Sequence, residues 1–244
     1  MTISSPITAH ALRAIRAIRA IRAIRALAVV LALVAPALVA SPVSATAAPR
    51  NIALASIAPG KRISDRAEAL ISNAGARTLA ALNQFEYTSS AKNLANLTAQ
   101  MNELAVHIAV TLGVVARDLQ SAWANTDLAH QRAIFAGLSQ VGVPWRINTS
   151  IPGKGFDCSG LTMFAWGVAG VEIARSSQPQ FDAATKISAK DAQPGDLLWR
   201  PGHIAMYLGV PGAVLQAPYG GRSVEVQMMN ERIGGWMRYA NPAI

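Results

Sequence analysis

Apolar residues recur at Leu94, Leu97, Met101, Leu104 and Ile108, and the spacing continues less regularly through Val115 and Leu119. Steps of three and four are helical, and their strict alternation is that of a coiled-coil seam. An earlier stripe of Ile63, Ala67, Leu70, Ala74, Ala81, Leu82 and Phe85 predicts another helix, opened by an N-cap at Ser64-Asp65. Thr88-Ser89-Ser90 marks the break between the two. No proline interrupts Ser64 to Trp123, so this stretch reads as a helical hairpin. Two roles fit its seam: two helices packing on each other, or an arm that binds a protein regulator or covers the chain's own site.

Thr126-Asp127 supplies a further N-cap, for a helix through Leu138 that ends at Gly142-Val143-Pro144. Beyond it, glycines and prolines punctuate short runs. Leu197 to Trp199, His203 to Leu208, Ala213 to Ala217 and Ser223 to Met228 read as strands. The expected class is α+β, helices followed by a mostly antiparallel sheet. The expected organisation is a helical segment over residues 48–126 and a second domain over 127–244. His107 and His130 fall on helices as ordinary surface histidines.

The N-terminus changes this picture. Arg13, Arg16, Arg19, Arg22 and Arg25 recur every three residues, and no acidic residue precedes Asp65. The apolar run from Ala26 to Ala40 is 15 residues long and contains Pro36, whereas a membrane-spanning helix needs about 20. Small residues and Ala45-Thr46-Ala47 follow. Residues 1–47 are therefore expected to be a secretion signal, with the mature chain starting near Ala48 and keeping no stable membrane span. An uncleaved anchor is the other reading. A period of three drifts around a helix of about 3.6 residues per turn, so the arginines build no single basic face and no nucleic-acid partner is expected. The chain carries +9; without the five signal arginines, 17 basic residues face 13 acidic ones, or +4. A modestly basic exported protein suits an anionic polymer such as a cell wall.

Cys158 is the only cysteine, so no internal disulfide supports the core. It stands in GFDCSGLTMFAW, where Asp157 is a good N-cap and Leu161, Phe164 and Ala165 give an apolar helical face. The thiol is thus expected in the first turn of a helix. There the helix dipole and unpaired N–H groups favour negative charge on sulfur and can bind an oxyanion. Asp157 and Ser159 flank it, whereas an inert core cysteine would sit within an apolar face. Both readings, nucleophile and core residue, stand at this point.

A thiol nucleophile needs a base that also returns a proton to a leaving amine. His203 opens a strand in the same domain as Cys158; otherwise it is a satisfied strand histidine. If Gly209-Val210-Pro211-Gly212 forms a four-residue loop, Leu208 lies opposite Ala213 and Ala205 opposite Gln216. His203 and Gln216 then share a face, within reach of each other. Gln216 can accept the imidazole N–H as a neutral orienter; its other reading is an exposed strand position.

In order along Gln140 to Val226, the motifs Gly142-Val143-Pro144-Trp145, Phe156-Asp157-Cys158-Ser159-Gly160-Leu161, Arg175-Ser176-Ser177, Pro194-Gly195-Asp196-Leu197, Gly202 to Gly209 and Gln216-Ala217-Pro218 resemble the NlpC/P60 family, papain-like cysteine peptidases of bacterial cell walls. The resemblance implies Cys158 as nucleophile, His203 as base and Gln216 as third residue, with Asp157 and Ser159 lining the substrate side. Trp145 stands where the family usually has tyrosine near the substrate, and position 216 is more often histidine. The implied reaction is hydrolysis of a peptidoglycan stem peptide, typically between D-glutamate and diaminopimelate or lysine. No metal or organic cofactor is implied. The alternatives are a non-catalytic wall-binding or regulatory protein on the same fold, and a thiol amidase or acyltransferase acting on a wall or lipid substrate.

Overall fold

The computed structural model describes residues 62–230 and 237–244. The expected secretion signal and its cleavage site lie outside the described residues. Among the described residues no helix is long and apolar enough to cross a membrane.

Helix α1 (Asp65–Thr88) starts where Ser64 Oγ accepts the Ala67 N–H at 3.2 Å, and it stops at Ser89, which turns left-handed at φ 51°. Ser90 then caps α2 (Ala91–Leu112) through the Asn93 N–H. Along α1 the buried stripe is Ile71, Ala74, Thr78, Ala81 and Leu82. Leu70, expected inside, is 42% exposed, because the face that meets the protein is centred one position further along, on Ile71. Leu97, Met101, Leu104 and Ile108 of α2 are buried in the molecule's main core, and Leu94 is half-buried. The seam is therefore occupied from within the chain. Arg77 ties the hairpin, donating to Glu103 and Gln100 of α2.

The second helix does not run on through Val115 and Leu119. Gly113 takes a left-handed C-cap at φ 72°, and a separate α3 (Ala116–Asn125) follows, burying Leu119 and Trp123 while Val115 stays exposed. Trp123 pins α3 to the rest of the fold. Its Nε1–H donates to the Leu208 carbonyl at 2.8 Å, and its ring meets Phe135 edge-on at 5.5 Å. Helix α4 (Leu128–Leu138) is capped by Asp127. Gly75 of α1 packs against its end so closely that a Cβ would fall 2.8 Å from the Ser139 nitrogen.

His130 is not a surface histidine. It is 1% exposed, its Nε2 bonds to Asp196 Oδ1 at 3.1 Å, and its Nδ1 lies 2.6 Å from Asp127 Oδ2, a charge contact rather than an aligned hydrogen bond. Burial opposes its charge, but the two carboxylates outweigh burial and raise its pKa to about 9. His107 is half-buried beside Glu103.

A short hairpin, β1 (Ser150–Ile151) and β2 (Gly155–Phe156), leads into α5 (Cys158–Val168) and then α6 (Ser177–Ala183). Six strands complete the fold: β3 (Thr185–Ile187), β4 (Leu197–Arg200), β5 (His203–Tyr207), β6 (Ala213–Gln216), β7 (Glu225–Met228) and β8 (Arg238–Asn241). Their spatial order is β3-β8-β4-β5-β6-β7, each pair antiparallel, so the class is α+β. Strands β3 and β8 were not evident in the sequence pattern. Alternation divides the sheet: Ile204, Met206, Leu215 and Val226 join the main core with the helices, whereas Leu198, Ala205, Tyr207 and Val214 form a smaller cluster on the other face. The main core is continuous from Ile63 to Ala240. Each large side chain buried there contributes about 1.5–3 kcal/mol.

Candidate active site

Cys158 is the first residue of α5 and is half-buried. The Asp157 N-cap accepts the Gly160 N–H at 2.7 Å, and intrahelical pairing begins with Leu161, which bonds to the Asp157 carbonyl. By helix geometry the first N–H groups have no intrahelical partner. Gly160 is dictated by space: a Cβ there would collide with the Thr149 carbonyl, which accepts the Asp157 N–H.

Asp157 and Ser159, assigned by resemblance to the substrate side, spend their polar atoms inside the protein. Arg175 grips both Asp157 oxygens, at 2.9 and 2.6 Å, and donates to Ser159 Oγ at 3.0 Å. Burial alone would raise the Asp157 carboxyl; Arg175 and the Gly160 N–H more than offset it and hold the group below 3.8. Gln180 continues the framework, bonding to Thr162, the Ser159 carbonyl and the Ala174 carbonyl. The nucleophile's turn is thus clamped from α6 as well as from its own cap.

Strands β5 and β6 pair Met206 with Leu215 and Tyr207 with Val214, the register expected from a four-residue loop. It brings His203 and Gln216 together, Nε2 to Oε1 at 2.8 Å. Gln216 Nε2 donates to Gln227 Oε1, so the Gln216 oxygen faces histidine and must accept. The neutral imidazole therefore carries its proton on Nε2 and its lone pair on Nδ1. Burial holds His203 below 6.5; the bond to Gln216 works against that shift, and the charge of Arg200 reinforces it.

Behind this pair, Gln216 lies opposite Glu225, which is 1% exposed and held by Arg222 at 2.6 and 2.7 Å. Burial raises the Glu225 carboxyl, Arg222 resists that shift, and the charge of Glu68 adds to it. Glu68 itself comes from α1 and accepts the Ser223 hydroxyl at 2.6 Å. Gln227, Glu225 and Arg175 carried no role in the sequence. Only the polar alternation of Glu225 and Gln227 about Val226 hinted that two of them share the Gln216 face.

Trp145 links the two halves. Its strand segment bridges to Phe156 just ahead of Cys158, its N–H bonds to the Arg222 carbonyl, and its ring packs over Gly220 in the loop after Gln216. No hydrogen bond joins Cys158 Sγ to His203 among the described residues. Such bonds are commonly long without substrate and tighten when it binds. No cluster of three or more His, Cys, Asp or Glu suited to a metal occurs among the described residues.

Residues 142–239 match the NlpC/P60 family model. The chain is 33% identical over 114 residues to peptidoglycan endopeptidase RipA of Mycolicibacterium smegmatis, covering 40% of this chain and 23% of that protein. It is 38% identical over 88 residues to the bifunctional muramidase/DL-endopeptidase CwlT of Bacillus subtilis, covering 33% of this chain and 27% of that protein. The match thus spans about a quarter of the length of these relatives. Among solved structures, RipD of Mycobacterium tuberculosis, described as a non-catalytic NlpC/p60 domain protein adapted to a peptidoglycan-binding function, is 28% identical, with a TM-score of 0.39, covering 49% of this chain and 100% of that one. The stretch that matches the NlpC/P60 family model takes in Trp145, Cys158, His203 and Gln216.

Proposed function

We propose that this protein is an exported cysteine endopeptidase of peptidoglycan, cutting the stem peptide between D-glutamate and diaminopimelate or lysine. The observation that carries the reading is the His203–Gln216 hydrogen bond, which fixes an imidazole with its lone pair on Nδ1 in the domain that holds Cys158 at a helix start. Export is supported by the arginine-rich, apolar and small-residue succession of residues 1–47. The names of the relatives support the substrate class.

In the reaction, Nδ1 takes the thiol proton as Sγ attacks the scissile carbonyl carbon. The oxyanion is met by the N–H groups of Cys158 and Ser159, which the Asp157 cap leaves unused. Collapse breaks the C–N bond, and His203 passes its proton to the departing amine, leaving a thioester on Cys158. Water, giving a proton to His203, then attacks the thioester, and Sγ leaves as thiol when that proton returns. Gln216 keeps the ring in plane with these transfers, and Arg175 holds the Asp157–Ser159 turn rigid.

Incubating purified wall fragments with the full-length chain and with Cys158→Ala tests this by mass spectrometry. New fragments cut within the stem peptide, absent with the variant, are expected. Binding without cleavage by either protein would overturn the catalytic reading in favour of a wall-binding one.

A further inference from the structure

The His203–Gln216 pair opens onto a cavity of about 200 Å³, lined also by Arg200, Tyr219, Gln227 and Met237. Cys158 does not line it. If His203 protonates the departing amine, space that touches His203 but lies away from the thiol belongs to the amine half of the substrate. Two arginines border this space. Arg222 is bound to Glu225 and is 11% exposed, so its charge is spent. Arg200 is different. It is the last residue of β4, directly opposite His203 across the hairpin, so the two side chains leave the same face of the sheet. Among the described residues it forms no ion pair. A guanidinium with no ion pair among the described residues, beside the base and at the wall of a cavity that on the hydrolase reading receives the amine half, is a planar fork suited to one carboxylate.

We propose that Arg200 binds a free carboxylate on the amine half of the substrate and thereby selects diaminopimelate over lysine at that position. The proposal rests on the hydrolase reading above and narrows it. Diaminopimelate differs from lysine by a single carboxylate on the terminal carbon of its side chain, so the two substrates differ in the one group that an arginine would read. Arg200 also acts on the base, its charge helping to hold His203 below the ordinary imidazole range.

The test compares two synthetic peptides, γ-D-glutamyl-diaminopimelate and γ-D-glutamyl-lysine stems, with the full-length chain, Arg200→Gln and Arg200→Lys. The unsubstituted protein is expected to show a kcat/KM at least about tenfold higher for the diaminopimelate peptide, chiefly through KM. Arg200→Gln should bring the ratio close to one, and Arg200→Lys should restore part of it. Any effect of Arg200 on His203 scales both rates together, so the ratio isolates the carboxylate. A ratio near one in the unsubstituted protein, or a preference kept by Arg200→Gln, would overturn the proposal. If neither peptide is cut, the hydrolase reading fails, and calorimetric titration of the same peptides into Cys158→Ala, with and without Arg200→Gln, still decides the carboxylate site: equal affinities overturn it, a loss confined to the diaminopimelate peptide upholds it.

Discussion

Gln216 makes two hydrogen bonds with opposite ends of one amide, and both depend on which way the amide is turned. Removing the anchor, as in Gln227→Leu, should let the amide flip and set an N–H against the imidazole N–H. Loss of one such bond predicts a fall in kcat of roughly tenfold, measurable with stem peptide under saturation. The base itself titrates below 6.5, because burial and Arg200 oppose its charge. The kcat/KM profile should therefore hold to more acidic pH than an ordinary histidine allows and fall as His203 gains its proton. Gln216→Glu puts a carboxylate in place of the amide, favours the imidazolium and should move that acid limb to higher pH. At this scale the sequence was informative where chemistry is local: Cys158 after its cap, and His203 with Gln216 through one loop length. It gave no role to Arg175, met only within a motif, or to Gln227, because those roles exist only once separate elements meet.

Among the elements, α4 is fixed to the sheet by His130 between Asp127 and Asp196, and this pair has a definite pH signature. Its folded pKa of about 9 exceeds the unfolded 6.5, so the stabilisation is full below pH 6.5 and is lost as pH rises towards 9. Urea unfolding midpoints measured across that range should fall. His130→Ala leaves Asp196, with no exposure of its own, without its partner, and should cost about 3–5 kcal/mol at neutral pH by the same measurement. Caps were easy to read, since Ser64, Asp127 and Asp157 each precede a helix with the right side chain. Strands β3 and β8 were not: Thr-Lys-Ile and Arg-Tyr-Ala-Asn are too short to show alternation, and they pair across more than fifty residues of chain. The seam in α2 was legible as a seam, but its spacing says nothing of whether the partner is another helix of the same core. Gly113, which ends it, was passed over because the apolar spacing continues beyond the turn.

For the molecule as a whole, the helices before residue 127 share a core with the sheet. Trp123 lies against Phe135 and bonds to Leu208 just after β5, and Glu68 reaches Ser223 ahead of β7. Residues 127–244 expressed alone should thus show a lowered thermal midpoint or lose cooperative unfolding altogether, checked by circular dichroism on heating. The family match begins at residue 142, yet buried contacts of the core begin at Ile63. Finally, the chain has a single sulfhydryl, half-buried at the start of α5. An alkylating fluorophore can therefore react at one position per molecule, so its stoichiometry counts sites, and slowing of that reaction by an added peptide gives an occupancy curve without any turnover.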